Sequence, residues 1–377
     1  MPGRYTNEEN GFDAMAATDF DAARPVNPPF RPVGIAGWLA LLWLAGPGIA
    51  LTETAETGKS SEAPGTAELR KRIAASPELP FKGTYFAAQA PTAGWESGRV
   101  SWVAIDAQGR IYELQRGVNA APVLVLDRDG KILRSWGTGE YKIPHSIRID
   151  PSGNVWTVDA GSSMIIKYSP AGKKLLTISV GQQPADGGPF SGATDIAFGR
   201  NGHLFVSDGY GNARVLEYAA DGRRLKQWGR PGSGPGEFHL PHSIQVDDEG
   251  IVYVADRENG RIEKFDLDGR YLGEIGNLGR VYSLKLADGV LWAGIQPMDA
   301  PPGSAGWMVE LDPKTGKLLG HLDVSDPLPL HCVELSAAGE PVTVQGTRLL
   351  WFRRAQQTAT SALVPRQGPQ VNDGKAR

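Results

Sequence analysis

Three histidines of this 377-residue chain stand in one recurring phrase. His145 lies in Ile143-Pro144-His145-Ser146-Ile147, His242 in Leu240-Pro241-His242-Ser243-Ile244, and His331 in Pro329-Leu330-His331-Cys332-Val333. Three imidazoles converging on one point suit a zinc-type ion and leave a coordination position open, as catalytic rather than structural sites do. Arg116 and Arg257 form a second matched set, each seven residues after a turn glycine, Gly109 and Gly250. Two fixed guanidinium forks can hold a carboxylate bidentately and balance negative charge near a cation. Tyr210, in Ser207-Asp208-Gly209-Tyr210-Gly211-Asn212, occupies the equivalent loop of another unit. A phenol beside a metal and two arginines can ionise and act as a base. Each group also has a plainer use: histidines lining a wet channel, arginines bridging neighbouring units, a tyrosine packing on its loop.

These residues are positioned by a repeat. The stretch from Phe238 to Arg261 reads as two short strands, Ile244-Gln245-Val246-Asp247 and Ile251 to Asp256, alternating apolar and polar around a tight Asp-Asp-Glu-Gly turn. Copies start at Ile143 and Gly192, with a weaker one at Val100. First-hairpin glycines fall at 109, 153, 202 and 250, and second-hairpin glycines at 130, 172, 222, 269 and 316. Two hairpins in about 47 residues make one blade of a β-propeller. Six all-β blades are expected, with inner strands near Val103, Ile147, Ile196, Ile244, Leu284 and Val333, and residues 82–89 closing the ring. The histidines then occupy blades two, four and six, about 120° apart. Ser101, Thr194 and Tyr282 take the same position in the other blades. Loops joining second and third strands return to that face, so Arg116, Arg257 and Tyr210 gather at the same mouth. His203, His239 and His321 read as surface, and Arg214 and Arg261 as structural.

A net charge of −3 and a pI near 6.1 give no electrostatic footprint for nucleic acid. A single cysteine, Cys332, excludes an intrachain disulfide. Residues 1–50 contain an apolar run, 34–50, that follows Arg24 and Arg31. Its length and its small-x-small end predict a signal peptide, hence a periplasmic or extracellular protein. An uncleaved membrane anchor is the alternative, and Met15 is an alternative start. Residues 51–78 read as a polar linker with one short helix from Ala67, 79–358 as the propeller, and 359–377 as a tail. A monomer is expected.

Gly234-Pro235-Gly236-Glu237-Phe238 and the 36 residues it opens resemble the NHL repeat. Over residues 143–276, and more weakly to about 340, the chain also resembles peptidyl-α-hydroxyglycine α-amidating lyase, a six-bladed propeller enzyme. The segments that carry this resemblance are the two Pro-His-Ser runs, Ser207 to Arg214, and Val254 to Arg261. It implies zinc on His145, His242 and His331, Tyr210 as catalytic tyrosine, and Arg116 and Arg257 as active-site arginines. The implied reaction splits a C-terminal α-hydroxyglycine into an amide and glyoxylate, so the partner is a peptide or small molecule ending in a carboxylate. Pro329-Leu330-His331-Cys332 departs from the family's Met-Pro-His-Asp, which removes a pocket methionine and the aspartate that holds a structural calcium there. That calcium is not expected here, and Cys332 reads as a small buried residue. Two other classes stay open. One is a non-catalytic NHL propeller binding a peptide or glycan. The other is a calcium-dependent lactonase-type hydrolase, whose site needs acidic and amide ligands where this chain has histidines.

Overall fold

The structure, a computed structural model, describes residues 65–181, 190, 192–301, 304–326 and 328–355. The expected signal or anchor segment, the linker up to residue 64 and the tail from 359 lie outside the described residues. Six four-stranded antiparallel sheets follow one another around a ring. Inner strands run over Val100–Ile105, Pro144–Ile149, Ala193–Phe198, Pro241–Val246, Arg280–Ala287 and Glu334–Leu335. The chain is a six-bladed β-propeller.

Strand composition follows radial position. The second strands, such as Val155–Asp159 and Val252–Asp256, are buried throughout, mostly apolar, and each of these two ends in a buried aspartate. Outer strands such as Ile132–Trp136 alternate half-buried and exposed, because one face meets solvent. The first hairpins turn on an Asp-x-x-Gly unit. In blade four, Asp247 Oδ1 accepts the Glu249 and Ile251 amides at 2.9 and 2.7 Å, and Gly250 adopts φ 84°. Neighbouring blades meet through aromatic rings. Trp136 and Trp228 lie where a Cβ at Gly172 or Gly269 would approach within 2.8 and 2.7 Å, so these turns admit only glycine.

Phe81–Phe86 closes the ring as the outermost strand of blade six, paired antiparallel with Arg348–Arg354. The inner strand of blade six falls near Val333 as expected but is only two residues long, Glu334–Leu335. The His331 amide donates to Pro329 O at 2.7 Å, and this tight turn holds the preceding segment out of the ladder. The short helix Thr66–Ala75 packs against blades four and five. Leu69 and Ile73 are buried against Ile275, Leu278 and Leu318, each worth roughly 1.5–3 kcal/mol. Arg72 donates to Gly276 O and Gly316 O at 3.1 and 3.0 Å. Among the described residues no helix is long and apolar enough to cross a membrane.

Midway down the channel a buried node ties the blades together. Arg148 of blade two donates to both oxygens of Asp195 of blade three, at 3.0 and 2.6 Å, and to Leu284 O of blade five at 3.3 Å. Ser243 of blade four donates to Asp195 at 2.7 Å, and the Arg148 guanidinium lies 4.8 Å from the Trp102 ring of blade one. Below it, toward the other face, is a cavity of about 280 Å³ that Arg148, Gln245, Lys285 and Glu334 help to line.

Candidate active site

A backbone irregularity aims the site residues. In five blades the pairing of first and second strands skips one residue: Ser101, His145, Thr194, His242 and Tyr282 in turn. A bulged residue leaves the ladder and its side chain is redirected. Here that sends the histidines inward, and the turn before blade six does the same for His331. The three imidazoles meet, with ring centroids 4.6, 5.0 and 4.9 Å apart and all three buried. They form a group whose candidate ligand atoms all lie within 4.8 Å of one another.

Each histidine is oriented by the next blade. Nδ1 of His145 faces Thr194 O at 2.6 Å, that of His242 faces Tyr282 O at 2.5 Å, and that of His331 faces Ser101 O at 2.9 Å. A carbonyl only accepts, so these contacts place the proton on Nδ1 and leave Nε2 as a bare lone pair. Nε2 of His145 and of His331 then face each other at 3.1 Å. Tyr210 Oη lies 3.2 Å from Nε2 of His145 and 3.1 Å from that of His242, yet a phenol has one proton for these two acceptors. Burial is the main force that lowers all three histidine pKa values, His242 to about 4 and the others well below the usual range, and the Arg116 charge adds to it. The histidines are neutral at neutral pH. Converging, neutral, unprotonated Nε2 atoms with fixed Nδ1 contacts are a donor set that fits a zinc-type cation.

Tyr210 is held by its loop. Its amide donates to Gly192 O at 2.9 Å, and the Phe190 ring lies 4.6 Å away. Burial pushes the phenol pKa up and Arg116 opposes this. Arg116 is fixed by two neutral acceptors, Pro144 O at 2.9 Å and Ser101 Oγ at 3.0 Å. Burial lowers its pKa to about 10. Arg257 is arranged differently: it is fully buried, stacks 5.2 Å from the Tyr282 ring, and pairs with Glu258 at 2.8 Å. Glu258 also holds Arg280 of blade five at 3.2 Å. The two arginines that match in register are thus electrostatically unlike: Arg257 pairs with Glu258 of its own blade, and Glu258 carries the bridge to Arg280 of blade five.

The remaining expectations fall on either side of the site. Arg214 and Arg261 brace the repeat through Asp208 and Asp256 at 2.7 and 2.9 Å. His239 is exposed, whereas His203 and His321 bind Glu217 and Ser76 at 2.6 and 2.8 Å. Cys332 is buried, its thiol reaches Val103 O at 3.6 Å, and burial raises its pKa. Arg99, Phe190 and Glu258 were not legible as site residues. Arg99 lines one cleft with Arg116, Ser101, Pro329 and His331.

With this geometry in view, the resemblances fall into place. A probable peptidyl-alpha-hydroxyglycine alpha-amidating lyase of Caenorhabditis elegans is 32% identical over 197 residues, 45% of this chain and 56% of that protein. This chain is similar to the amidating lyases. It is also 34% identical over 197 residues to human NHL repeat-containing protein 3, covering 48% of this chain and 56% of that one. The chain thus spans little more than half the length of either relative. A family described as a 6-bladed beta-propeller matches residues 190–281. A streptogramin B lyase structure superposes with a TM-score of 0.52 at 17% identity, covering 72% of this chain and 97% of that one, a likeness of fold alone.

Proposed function

We propose that the channel mouth is the active site of a metal-dependent lyase that cleaves the C–N bond of an N-acyl-α-hydroxyglycine to an amide and glyoxylate. The observation that carries this reading is the Tyr210 hydroxyl set between two bare histidine nitrogens beside Arg116. His145, His242 and His331 would hold the ion. When bound, a zinc-type cation polarises a substrate oxygen and lowers the pKa of a coordinated hydroxyl.

The chain's own residues do the rest. Among the described residues Arg116 hydrogen-bonds to two neutral acceptors, Pro144 O and Ser101 Oγ, which leaves its charge to meet a substrate carboxylate. In its tyrosinate form, the phenol proton having been given up to solvent before the substrate binds, the Tyr210 oxygen takes the hydroxyl proton, the carbon–oxygen bond gains double-bond character, and the C–N pair leaves with the amide nitrogen. The same oxygen returns the proton to that nitrogen. Atoms and charge balance with no other reagent: one proton moves from oxygen to nitrogen and one bond breaks. Phe190 and the buried mouth exclude water from the phenol, which suits proton transfer within a closed pair.

The test is glyoxylate release from N-benzoyl-α-hydroxyglycine by zinc-supplemented protein, with His242→Ala as control. Release from the wild type that vanishes in the variant is the expected result. No release from folded, metal-loaded wild type would sink the lyase reading and leave a binding role for the mouth.

A further inference from the structure

The register that delivers three histidines to one mouth also builds a second ring lower in the channel. Three residues after each histidine, or after the residue in its place, stand Ala104, Arg148, Ala197, Gln245, Lys285 and Glu334. All six line the cavity of about 280 Å³ beyond the Arg148–Asp195 node. That volume is at the lower edge of the roughly 300–1,000 Å³ of small-molecule sites. The two alanines come from the blades on either side of Arg148 and leave the room. Ile105, Ile149 and Phe198, the last residues of the first three inner strands, give the cavity an apolar rim. The Trp102 ring separates this ring from the histidines: it lies 4.8 Å from the Arg148 guanidinium and 5.5 Å from the His331 ring.

We propose that this cavity is a second ligand site, separate from the histidine mouth, for a small uncharged molecule with a hydrogen-bond acceptor at one end and an apolar body. Arg148 is 5% exposed. Its Nε and Nη2 meet Asp195, while Nη1 has no acceptor among the described residues. A buried donor in that state calls for an acceptor from outside the fold. Gln245 does not supply one, because its Oε1 accepts the Leu286 amide at 3.3 Å and its Nε2 donates to Ile244 O at 2.8 Å. The charges that line the cavity are already balanced in pairs. Asp195 meets Arg148, Glu334 meets Lys285, and Asp150 meets Lys167 as well as Asn154 and Trp156. A ligand with net charge would be buried there without a counter-ion, whereas a neutral acceptor meets Nη1 at no such cost. Its apolar part then packs on the rim.

The site does not depend on the lyase reading, and binding tests it without turnover. The probes are benzamide, benzoate and benzylamine, one shape in neutral, anionic and cationic form, titrated by calorimetry into the full chain at neutral pH. Wild type is expected to bind benzamide about 10-fold or more tightly than either ion. Arg148→Lys keeps a charge facing Asp195 and removes the guanidinium fork, and should cost about 10-fold in benzamide affinity. Ala104→Leu and Ala197→Leu each fill the room on one side of Arg148 and should abolish binding, with folding checked by circular dichroism. His242→Ala, at the other mouth, should leave benzamide affinity unchanged. Benzamide affinity that survives in folded Arg148→Lys and in a folded leucine variant would overturn the proposal. So would loss of benzamide binding in His242→Ala, which would put the probe at the histidine mouth. A preference for benzoate or benzylamine would overturn it too, as would no saturable binding to wild type, which would leave the cavity to water.

Discussion

Glu113 offers a measurement whose sign and size follow from one buried carboxyl. It lies on the second strand of blade one, fully buried, and neither carboxyl oxygen has a hydrogen-bond partner among the described residues. Thr157, Val206, Val254, Ala293 and Thr343 take the same place, four residues after the turn glycine, in the other blades. Burial raises its pKa from 4.5 to about 8. The folded state therefore keeps a proton that the unfolded chain gives up, so stability is full below pH 4.5 and is lost as pH rises toward 8. A tenfold change in proton affinity is worth about 1.4 kcal/mol, so folding and protonation of this carboxyl are coupled by roughly 5 kcal/mol. About 3 kcal/mol of this falls between pH 5.5 and 8.5. Glu113→Gln keeps the shape and removes the titration. Urea unfolding of both proteins across that range should show the variant gaining on the wild type by about 3 kcal/mol as pH rises. Other titrating groups are common to both and cancel in the difference. A difference that stays constant with pH would refute the reasoning, because the carboxylate would then be paired or hydrated.

Tyr210→Phe should retain metal binding and lose about 10²- to 10⁴-fold in turnover, read from the glyoxylate assay alongside metal content. Asp195→Asn breaks the buried Arg148 pair and should cost about 3–5 kcal/mol in denaturant unfolding, whereas exchanging an exposed pair such as Arg200–Asp248 should change little. Gly209→Ala places a Cβ 2.2 Å from Pro241 O, so it should shift the Tyr210 loop away from the His242 strand and lower turnover more than a surface Gly→Ala exchange. In metal-free protein His242 is lowered from 6.5 to about 4, so stability should fall as pH drops through that window. His242→Asn should flatten the fall.

Much of this site is legible in the sequence because a repeat carries its own ruler. His145, His242 and His331 share one register, which fixes alternate blades and hence convergence on the axis. Tyr210 follows in the same way, from its loop's place after the second strand. Register does not report charge balance. Arg116 and Arg257 match in spacing, yet Glu258 follows one and Gly117 the other, and that neighbour decides which guanidinium is already paired. Arg99 escapes a reading by register because an arginine ahead of a strand usually faces solvent. The signal that marks it is the apolar or glycine residue at that position in most other blades. The buried Arg148–Asp195 node is illegible for a related reason. Its members come from successive inner strands at matched heights, and only the closed ring brings them together.

The hand-off from each histidine to a carbonyl of the following blade makes the pair of blades, not the single blade, the smallest unit that carries function. An even-numbered blade supplies the histidine and the odd-numbered blade after it supplies the carbonyl that tethers it. A ring lengthened or shortened by one such unit of sheet would keep its walls and lose its three-fold centre. Exchanging a whole two-blade cassette for another would carry ligand and tether across together. Grafting this site onto another propeller therefore means counting in twos.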